Sequence, residues 1–423
     1  MLLTFGVFFL LICLRTPIAY SLFAGSMIYM LTNDVNLIMA AQRLAIGVDS
    51  FPLIAVPFFI FAGNIMNSAG ITKKIFSFAD HLVGHLTGGL AHANILGSII
   101  FSGMSGAAIA DAGGLGAVEL EAMKEGGYDD DFSLAITGAS SIIGPIIPPS
   151  IPAVIFAVTG SVSTGKLFAA GILPGLIMAL MLAVMVYFKC KKAGYRKRSR
   201  PKPAEIHRSF KDAFLALMAP VIILGGILLG IFTPTEAAII AVFYSILVGL
   251  LYKSLDLRDL PRMMKETLDI TTSIFFIVAA ASLFGLVLTI SQMPQHLAAN
   301  FMQWFPDKYS ALLMINLFLL VVGFFMEPTA AIMILVPILL PITESLGIDP
   351  IHFGIVMILN LMIGLLTPPV GMVLFVLSSV SGVPFERIAK ASMPYVLVLG
   401  VALMFFTFIP QLVMVVPNYL FNN

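Results

Sequence analysis

Ser140-Ser141-Ile142-Ile143-Gly144-Pro145-Ile146-Ile147-Pro148-Pro149-Ser150-Ile151-Pro152 is apolar enough to lie in a membrane, yet it cannot be a regular helix. Its four prolines remove amide donors, and each disfavours helical geometry at the residue before it. In hydrocarbon every backbone amide and carbonyl needs a partner, so a broken helix persists only where protein, ions or water supply one. The chain repeats the break at Gly364-Leu365-Leu366-Thr367-Pro368-Pro369-Val370-Gly371. One proline kink is ordinary in a membrane helix. Two multi-proline breaks in corresponding places are the sequence sign of a transporter's binding site near the bilayer midplane. Freed carbonyls there suit a hard cation such as Na⁺, and half-helix N-termini present amides to an anion.

The rest of the chain fits a membrane setting. Of 423 residues, 59% are hydrophobic and 11% charged, with a mean hydropathy of +1.03; soluble domains carry roughly a quarter charged residues. Apolar runs of spanning length follow one another nearly end to end, so the expected fold is an all-α polytopic membrane protein. Cys13 and Cys190 match no metal-ligand or redox spacing. The N-terminal apolar run has no basic flank before it and no small-residue cleavage site after it, so no signal peptide is expected.

The two breaks belong to a longer internal correspondence at an offset of about 220 residues. Gly144-Pro145-Ile146-Ile147-Pro148-Pro149 aligns with Gly364-Leu365-Leu366-Thr367-Pro368-Pro369, and Pro174 then falls on Pro394. Gly103 meets Gly323, Ala110 meets Ala330, and Arg15-Thr16-Pro17-Ile18-Ala19 resembles Pro234-Thr235-Glu236-Ala237-Ala238. The expected domains are a first repeat over 1–190, a basic connector over 191–210 and a second repeat over 211–423. The first repeat reads as scaffold spans within 2–68 (2–14, 17–32, 50–68), a Gly/Ser-interrupted hairpin at 88–125, a broken helix at 132–160 and a span at 166–188. The second reads as scaffold spans within 213–291 (213–231, 235–252, 266–291), a hairpin at 308–345, a broken helix at 350–382 and a span at 391–417. With the hairpins re-entrant, each half makes five crossings, and an odd number inverts the second half relative to the first.

Charge supports that count. Ten Lys and Arg cluster in 189–211: Lys189, Lys191, Lys192, Arg196, Lys197, Arg198, Arg200, Lys202, Arg208 and Lys211. If this segment is cytoplasmic, the crossings also put Arg15, Lys73, Lys74, Lys124, Lys253, Arg258, Arg262, Lys265, Arg387 and Lys390 inside, and only Arg43, Lys166 and Lys308 outside. That is the positive-inside pattern of an inner-membrane protein with both termini periplasmic. The connector reads as a solvated loop able to touch anionic lipid, and nothing else suggests a nucleic-acid partner.

The hairpin turns hold the second constellation, Ser102-Gly103-Met104-Ser105-Gly106 and Gly323-Phe324-Phe325-Met326-Glu327-Pro328-Thr329. Each turn is expected to face the broken helix of its own half, which gives one cation site per half. Three acids lie in apolar surroundings: Asp111, Glu236 and Glu327. Glu327 sits at a hairpin turn, Asp111 could bond within its hairpin, and Glu236 after Thr233-Pro234-Thr235 reads as a helix cap. No Lys or Arg falls at the centre of a span, so an anionic substrate would rely on amide dipoles, hydroxyls and Na⁺. Gly103-Met104-Ser105-Gly106 also fits the G-x-S-G pattern of rhomboid-type intramembrane serine proteases. That reading needs His81, His85 or His92 beside the serine and gives no reason for the second broken half, so no enzymatic activity is expected.

Phe101-Ser102-Gly103-Met104-Ser105-Gly106-Ala107-Ala108-Ile109-Ala110-Asp111, Gly144-Pro145-Ile146-Ile147-Pro148-Pro149-Ser150 and Gly364-Leu365-Leu366-Thr367-Pro368-Pro369-Val370-Gly371 together resemble the M subunit of TRAP (tripartite ATP-independent periplasmic) transporters, and the resemblance runs over essentially the whole chain. It implies Na⁺-coupled uptake of a carboxylate, either sialic acid or a C4-dicarboxylate, by an elevator motion of a transport domain against a scaffold. It implies two partners, a small four-helix Q subunit and a periplasmic substrate-binding P subunit. No span is left over here to supply Q, so Q is expected as a separate polypeptide. The coupling ions, two or more Na⁺, would bind at Ser102, Ser105, Ser141 and Gly144 in the first half and at Gly323, Glu327, Gly364 and Thr367 in the second. Substrate would sit between them, near Pro149, Ser150 and Pro369. A stand-alone sodium–carboxylate symporter of the related ion-transporter type is the alternative carrier.

Overall fold

In the computed structural model, which describes residues 2–14, 16–195, 199–305 and 307–421, the chain is helical and the described residues form no strand. Arg15, Arg196, Lys197 and Arg198, counted above among the basic residues, lie outside the described residues. Two short apolar helices, Leu2–Cys13 (α1) and Ile18–Thr32 (α2), pack together and are followed by Ile38–Val48 (α3). At 1.5 Å per residue each is shorter than the ~30 Å hydrocarbon core. The next span, Phe51–Ser68, begins as a 3₁₀ turn at Pro52 and becomes α-helical at Ala55–Ser68 (α4). An amphipathic helix, Ile71–Val83 (α5), buries Ile71, Ile75, Phe76 and Ala79 and keeps Lys73 and His81 on its outer face.

Next comes the first hairpin: Gly89–Ser105 (α6), a turn, and a returning arm that ends in Gly116–Glu125 (α7). The returning arm carries a π-helical turn at Asp111–Leu115, which a plain helical reading of 88–125 missed. Asp130–Ser141 (α8) and Ile151–Thr159 (α9) are the two pieces of the first broken helix, and Thr164–Ala193 (α10) follows. Asp129 caps α8 through bonds from Asp131 N and Phe132 N, and Ser163 caps α10.

Pro203–Leu228 (α11) starts inside the basic connector, where Pro occupies its first turn and Lys202 N donates to Glu205 Oε2 at 2.8 Å. The sequence reading began this span at 213 because the amphipathic first turns dilute its hydropathy. Pro234–Leu251 (α12) opens with a capping box: Thr233 N donates to Glu236 Oε2 at 2.8 Å, and Glu236 N donates to Thr233 Oγ1 at 3.3 Å. Glu236 is therefore a cap, as its sequence context indicated. Leu260–Ile290 (α13) and Met293–Trp304 (α14) come next; α14, like α3 and α5, was absent from the span reading because it is short.

Lys308–Phe325 (α15) and Pro328–Ser345 (α16) form the second hairpin, and Pro350–Gly364 (α17) and Met372–Ser381 (α18) the second broken helix. The final segment read as one span over 391–417 is two helices, Phe385–Phe408 (α19) and Gln411–Phe421 (α20). Pro410 has no amide to give and pushes Ile409 out of helical geometry, to φ −122° and ψ 77°.

Helices α2, α3, α4, α12 and α13 pack mainly among themselves and touch the hairpins along one side, while α11 lies between α12 and the pair formed by α5 and the hairpin arm α6. The hairpins and broken helices form the other body, built by crossed packing. In each half the piece before the break lies on the first hairpin arm, α8 on α6 and α17 on α15. The piece after each break crosses to the other half: α9 packs on α16, and α18 packs on the returning arm of the first hairpin. Buried asparagines tie each pre-break helix to its hairpin. Asn94 Nδ2 donates to Thr137 Oγ1 at 2.7 Å, and Asn360 Nδ2 donates to Asn316 Oδ1 at 2.9 Å. Each satisfied polar contact holds these apolar surfaces in one register, since a slip would orphan buried amides.

Candidate functional site

Each hairpin turn bonds to the break of its own half. In the first, Ile151 N donates to Gly106 O at 3.3 Å; in the second, Val370 N donates to Phe324 O at 3.2 Å. The first turn depends on glycine. Gly106 has φ +62°, and a β-carbon there would lie 2.7 Å from the Pro149 carbonyl oxygen. In the second half the backbones of α15 and α17 meet at Gly323 and Gly364, where a β-carbon on Gly364 would lie 2.5 Å from the Gly323 carbonyl oxygen.

Around the first break, the structure brings Ser102, Ser141 and Gly144 together. A β-carbon on Gly144 would sit 3.1 Å from Ser141 O, 3.9 Å from Ser102 Cβ and 3.6 Å from Asp111 Oδ2. Ser102 Oγ donates to Ile99 O at 2.6 Å and Ser141 Oγ to Gly138 O at 2.9 Å, so both hydroxyls keep lone pairs free. Ser105 is buried with its hydroxyl unpartnered; neither oxygen of Asp111 makes a hydrogen bond of ordinary geometry, although Ser98 of the same hairpin lies close enough to act on its carboxyl. A nook of carbonyls, free lone pairs and orphaned oxygens fits a hard monovalent cation.

Around the second break, Gly323 and Gly364 are in contact, and Thr367 Oγ1 donates to Ile363 O at 2.9 Å. Glu327 is the N-cap of α16: Oε2 accepts from Ala330 N at 3.0 Å and Oε1 from Thr329 Oγ1 at 2.7 Å. A carboxylate offers about four acceptor positions, so capping leaves Glu327 further capacity.

Between the two turns lies a cavity of about 400 Å³. One wall is Ser105–Ala110 of the first turn with Pro145, Ile151 and Pro152 of its break; the facing wall is Glu327, Pro328 and Thr329 with Met362 and Leu365. Helices α4 and α13 close the side with Ile60, Gly63, Asn64, Ile270 and Ile274. The size suits a small organic ligand. Among the described residues no Lys, Arg or His lines it. Pro149, Ser150 and Pro369, singled out for substrate, are not among the residues of its wall, although Ile151, next to Ser150, is. Pro149 backs the first turn through Gly106, and Ser150 caps α9, its hydroxyl donating to the Pro145 carbonyl and accepting from Ala153 N at 3.2 Å.

Sequence reasoning missed Asn64, which donates to Thr267 Oγ1 at 3.2 Å, and the role of the α4 and α13 walls. It flagged Asp111 and quoted Thr329 without assigning either to a site. The available signal was a lone polar residue in an apolar run, which packing explains equally well until the hairpin is folded against it.

The family described as "Tripartite ATP-independent periplasmic transporter, DctM component" matches residues 5–412. The chain is 45% identical to the sialic acid TRAP transporter large permease protein SiaM of Vibrio cholerae over 95% of each chain. It is 41% identical to the sialic acid TRAP transporter permease protein SiaT of Haemophilus influenzae, over 98% of this chain and 68% of that one. The C4-dicarboxylate TRAP transporter large permease protein DctM of Pseudomonas aeruginosa is 39% identical over 94% of this chain and 93% of its own. These relatives are named as transporter permeases and not as enzymes. In structure the chain resembles the Alcanivorax borkumensis YdaH transporter, with a TM-score of 0.66 and 15% identity over 89% of each chain, a likeness of fold. Proline-broken helices closed by hairpin turns, and relatives matching end to end, agree: this chain belongs to the DctM family of large permease components of TRAP transporters.

Proposed function

We propose that this chain carries a carboxylate across the inner membrane by Na⁺-coupled secondary transport, receiving it from a periplasmic binding protein and working with a small membrane subunit. The observation that carries this reading is the cavity of about 400 Å³ between two hairpin turns, each hydrogen-bonded to a broken helix of its own half. The names of the relatives support the substrate class, sialic acid or a C4-dicarboxylate.

Ser102, Ser105, Ser141 and Gly144 form the first Na⁺ site in this reading, and Gly323, Glu327, Gly364 and Thr367 the second. Na⁺ bound there supplies positive charge to a cavity that has no cationic side chain. Ser105, Asn64 and Thr329 present polar groups to the substrate, and the N-terminal end of α9, with Ile151 and Pro152 on the cavity wall, turns the positive end of its helix dipole towards it. Pro149, Ser150 and Pro369 act one layer out, fixing the turns and caps that aim these groups.

The crossed packing and the matched asparagines support two inverted repeats, with the hairpins, broken helices, α10 and α19 as a transport domain. Helices α1 to α4 and α11 to α13 are the scaffold. An elevator motion would slide the first body along the second, and contacts at that seam run through glycines: Gly63 against Ser105, Gly103 against Pro220 and Gly114 against Asn67. The connector at 189–211 faces the cytoplasm, and both termini face the periplasm.

Uptake of labelled substrates into proteoliposomes holding this chain and its small membrane partner tests the reading. We expect uptake of sialic acid or a C4-dicarboxylate only with an inward Na⁺ gradient and the binding protein together. Uptake driven by ATP, or indifferent to Na⁺, would overturn it.

A further inference from the structure

A deeper group of polar side chains lies between the arms of the first hairpin. Glu119 is 0% exposed and Asp111 is 1% exposed. None of their four carboxylate oxygens has a hydrogen-bond partner. Ser98 on α6 is 1% exposed, its hydroxyl is likewise unpartnered, and it lies close enough to Asp111 to act on its carboxyl. Glu119 is within charge–charge range of Asp111, and its Oε1 lies 3.1 Å from where a β-carbon on Gly97 would be, next to Ser98. A glycine there leaves room that a side chain would fill.

The local backbone is arranged for this meeting. Eight residues separate Asp111 from Glu119, and in a plain α-helix that spacing turns the two about 80° apart. The π-helical turn at Asp111–Leu115 absorbs one extra residue, so the separation behaves as seven and leaves the pair within about 20° of one face. Two other polar groups of this hairpin and its broken helix are already engaged: Asn94 Nδ2 with Thr137 Oγ1 at 2.7 Å, and Ser140 Oγ with Asn94 Oδ1 at 2.6 Å. Two ionised carboxylates in a dry hairpin are costly, and either protonation or a countercharge relieves that cost.

We propose that Ser98, Asp111 and Glu119 hold a further Na⁺, separate from the cation sites at the two breaks. Asp111 stands between this ion and the first break, since its Oδ2 also faces Gly144. Two carboxylates then balance two monovalent cations, one at the break and one within the hairpin. The inference rests on the Na⁺-coupled reading above and adds an ion to it.

Counting bound ²²Na⁺ at equilibrium on the purified transporter complex tests it. Wild type is expected to bind one Na⁺ more per complex than Glu119→Gln. Ser98→Ala, a lighter change that keeps both acids, is expected to weaken that same ion by about tenfold. Equal counts and equal affinities in wild type and both variants would overturn the proposal. A wild type that binds no Na⁺ would instead sink the Na⁺-coupled reading itself. Glutamine copies the shape of a protonated glutamic acid, so a carboxyl neutralised by a proton predicts no change in Na⁺ count in Glu119→Gln.

Discussion

At the scale of single residues, satisfied and unsatisfied hydroxyls make opposite predictions. Ser105 has no partner to orphan, so Ser105→Ala should change stability by no more than about 0.5 kcal/mol. If its oxygen is an ion ligand, the same change should raise the Na⁺ concentration needed for half-maximal uptake by about tenfold, the equivalent of about 1.4 kcal/mol. Thr367→Ala should raise the Na⁺ requirement similarly at the second break, and it also removes the hydroxyl's bond to Ile363 O. Asn94→Ala inverts the pattern: it strips partners from buried Thr137 and Ser140, so thermal stability should fall by about 1–3 kcal/mol. Thermal melts beside Na⁺ titrations of uptake separate the two classes, and unaltered Na⁺ dependence in both Ser105→Ala and Thr367→Ala would count against the assigned ligands.

At the scale of elements, the turns and breaks function as joined units. Gly106→Ala forces a side chain into left-handed geometry, a cost of about 1–2 kcal/mol, and drives it towards the Pro149 carbonyl. Uptake should collapse in this variant while the complex remains assembled, as size-exclusion profiles would report. Sequence made the breaks legible because four prolines in thirteen residues leave no helical alternative, and it made the turns legible because glycines and hydroxyls interrupt apolar arms. It did not reveal the π-helical turn at Asp111–Leu115, since one extra residue in a helix leaves no composition mark. Nor did it reveal that α9 and α18 cross to the opposite half, because apolar faces look alike to a sequence whichever partner they meet. Short helices such as α3 and α14 escaped for want of length, and the split at Pro410 was hidden inside an apolar run. The cavity between the turns is lined by Pro145, Ile151 and Pro152, chain neighbours of the Pro149 and Ser150 to which the sequence pointed.

At the scale of the whole molecule, the proposed elevator motion would carry the hairpin body past α4 and α11. A β-carbon on Gly114 would lie 2.9 Å from the Asn67 side-chain amide, so Gly114→Cys with Asn67→Cys, after replacement of Cys13 and Cys190, forms a pair able to bridge the seam. Oxidation should stop uptake and a reductant should restore it; full uptake by the cross-linked protein would exclude sliding at this seam. The most direct measurement concerns the breaks themselves: amide hydrogen exchange across 140–152 and 364–371 in the assembled transporter, compared in Na⁺ and in choline. The account predicts that Na⁺ slows exchange at both breaks and leaves scaffold helices α12 and α13 unchanged. Identical exchange in the two salts would contradict it.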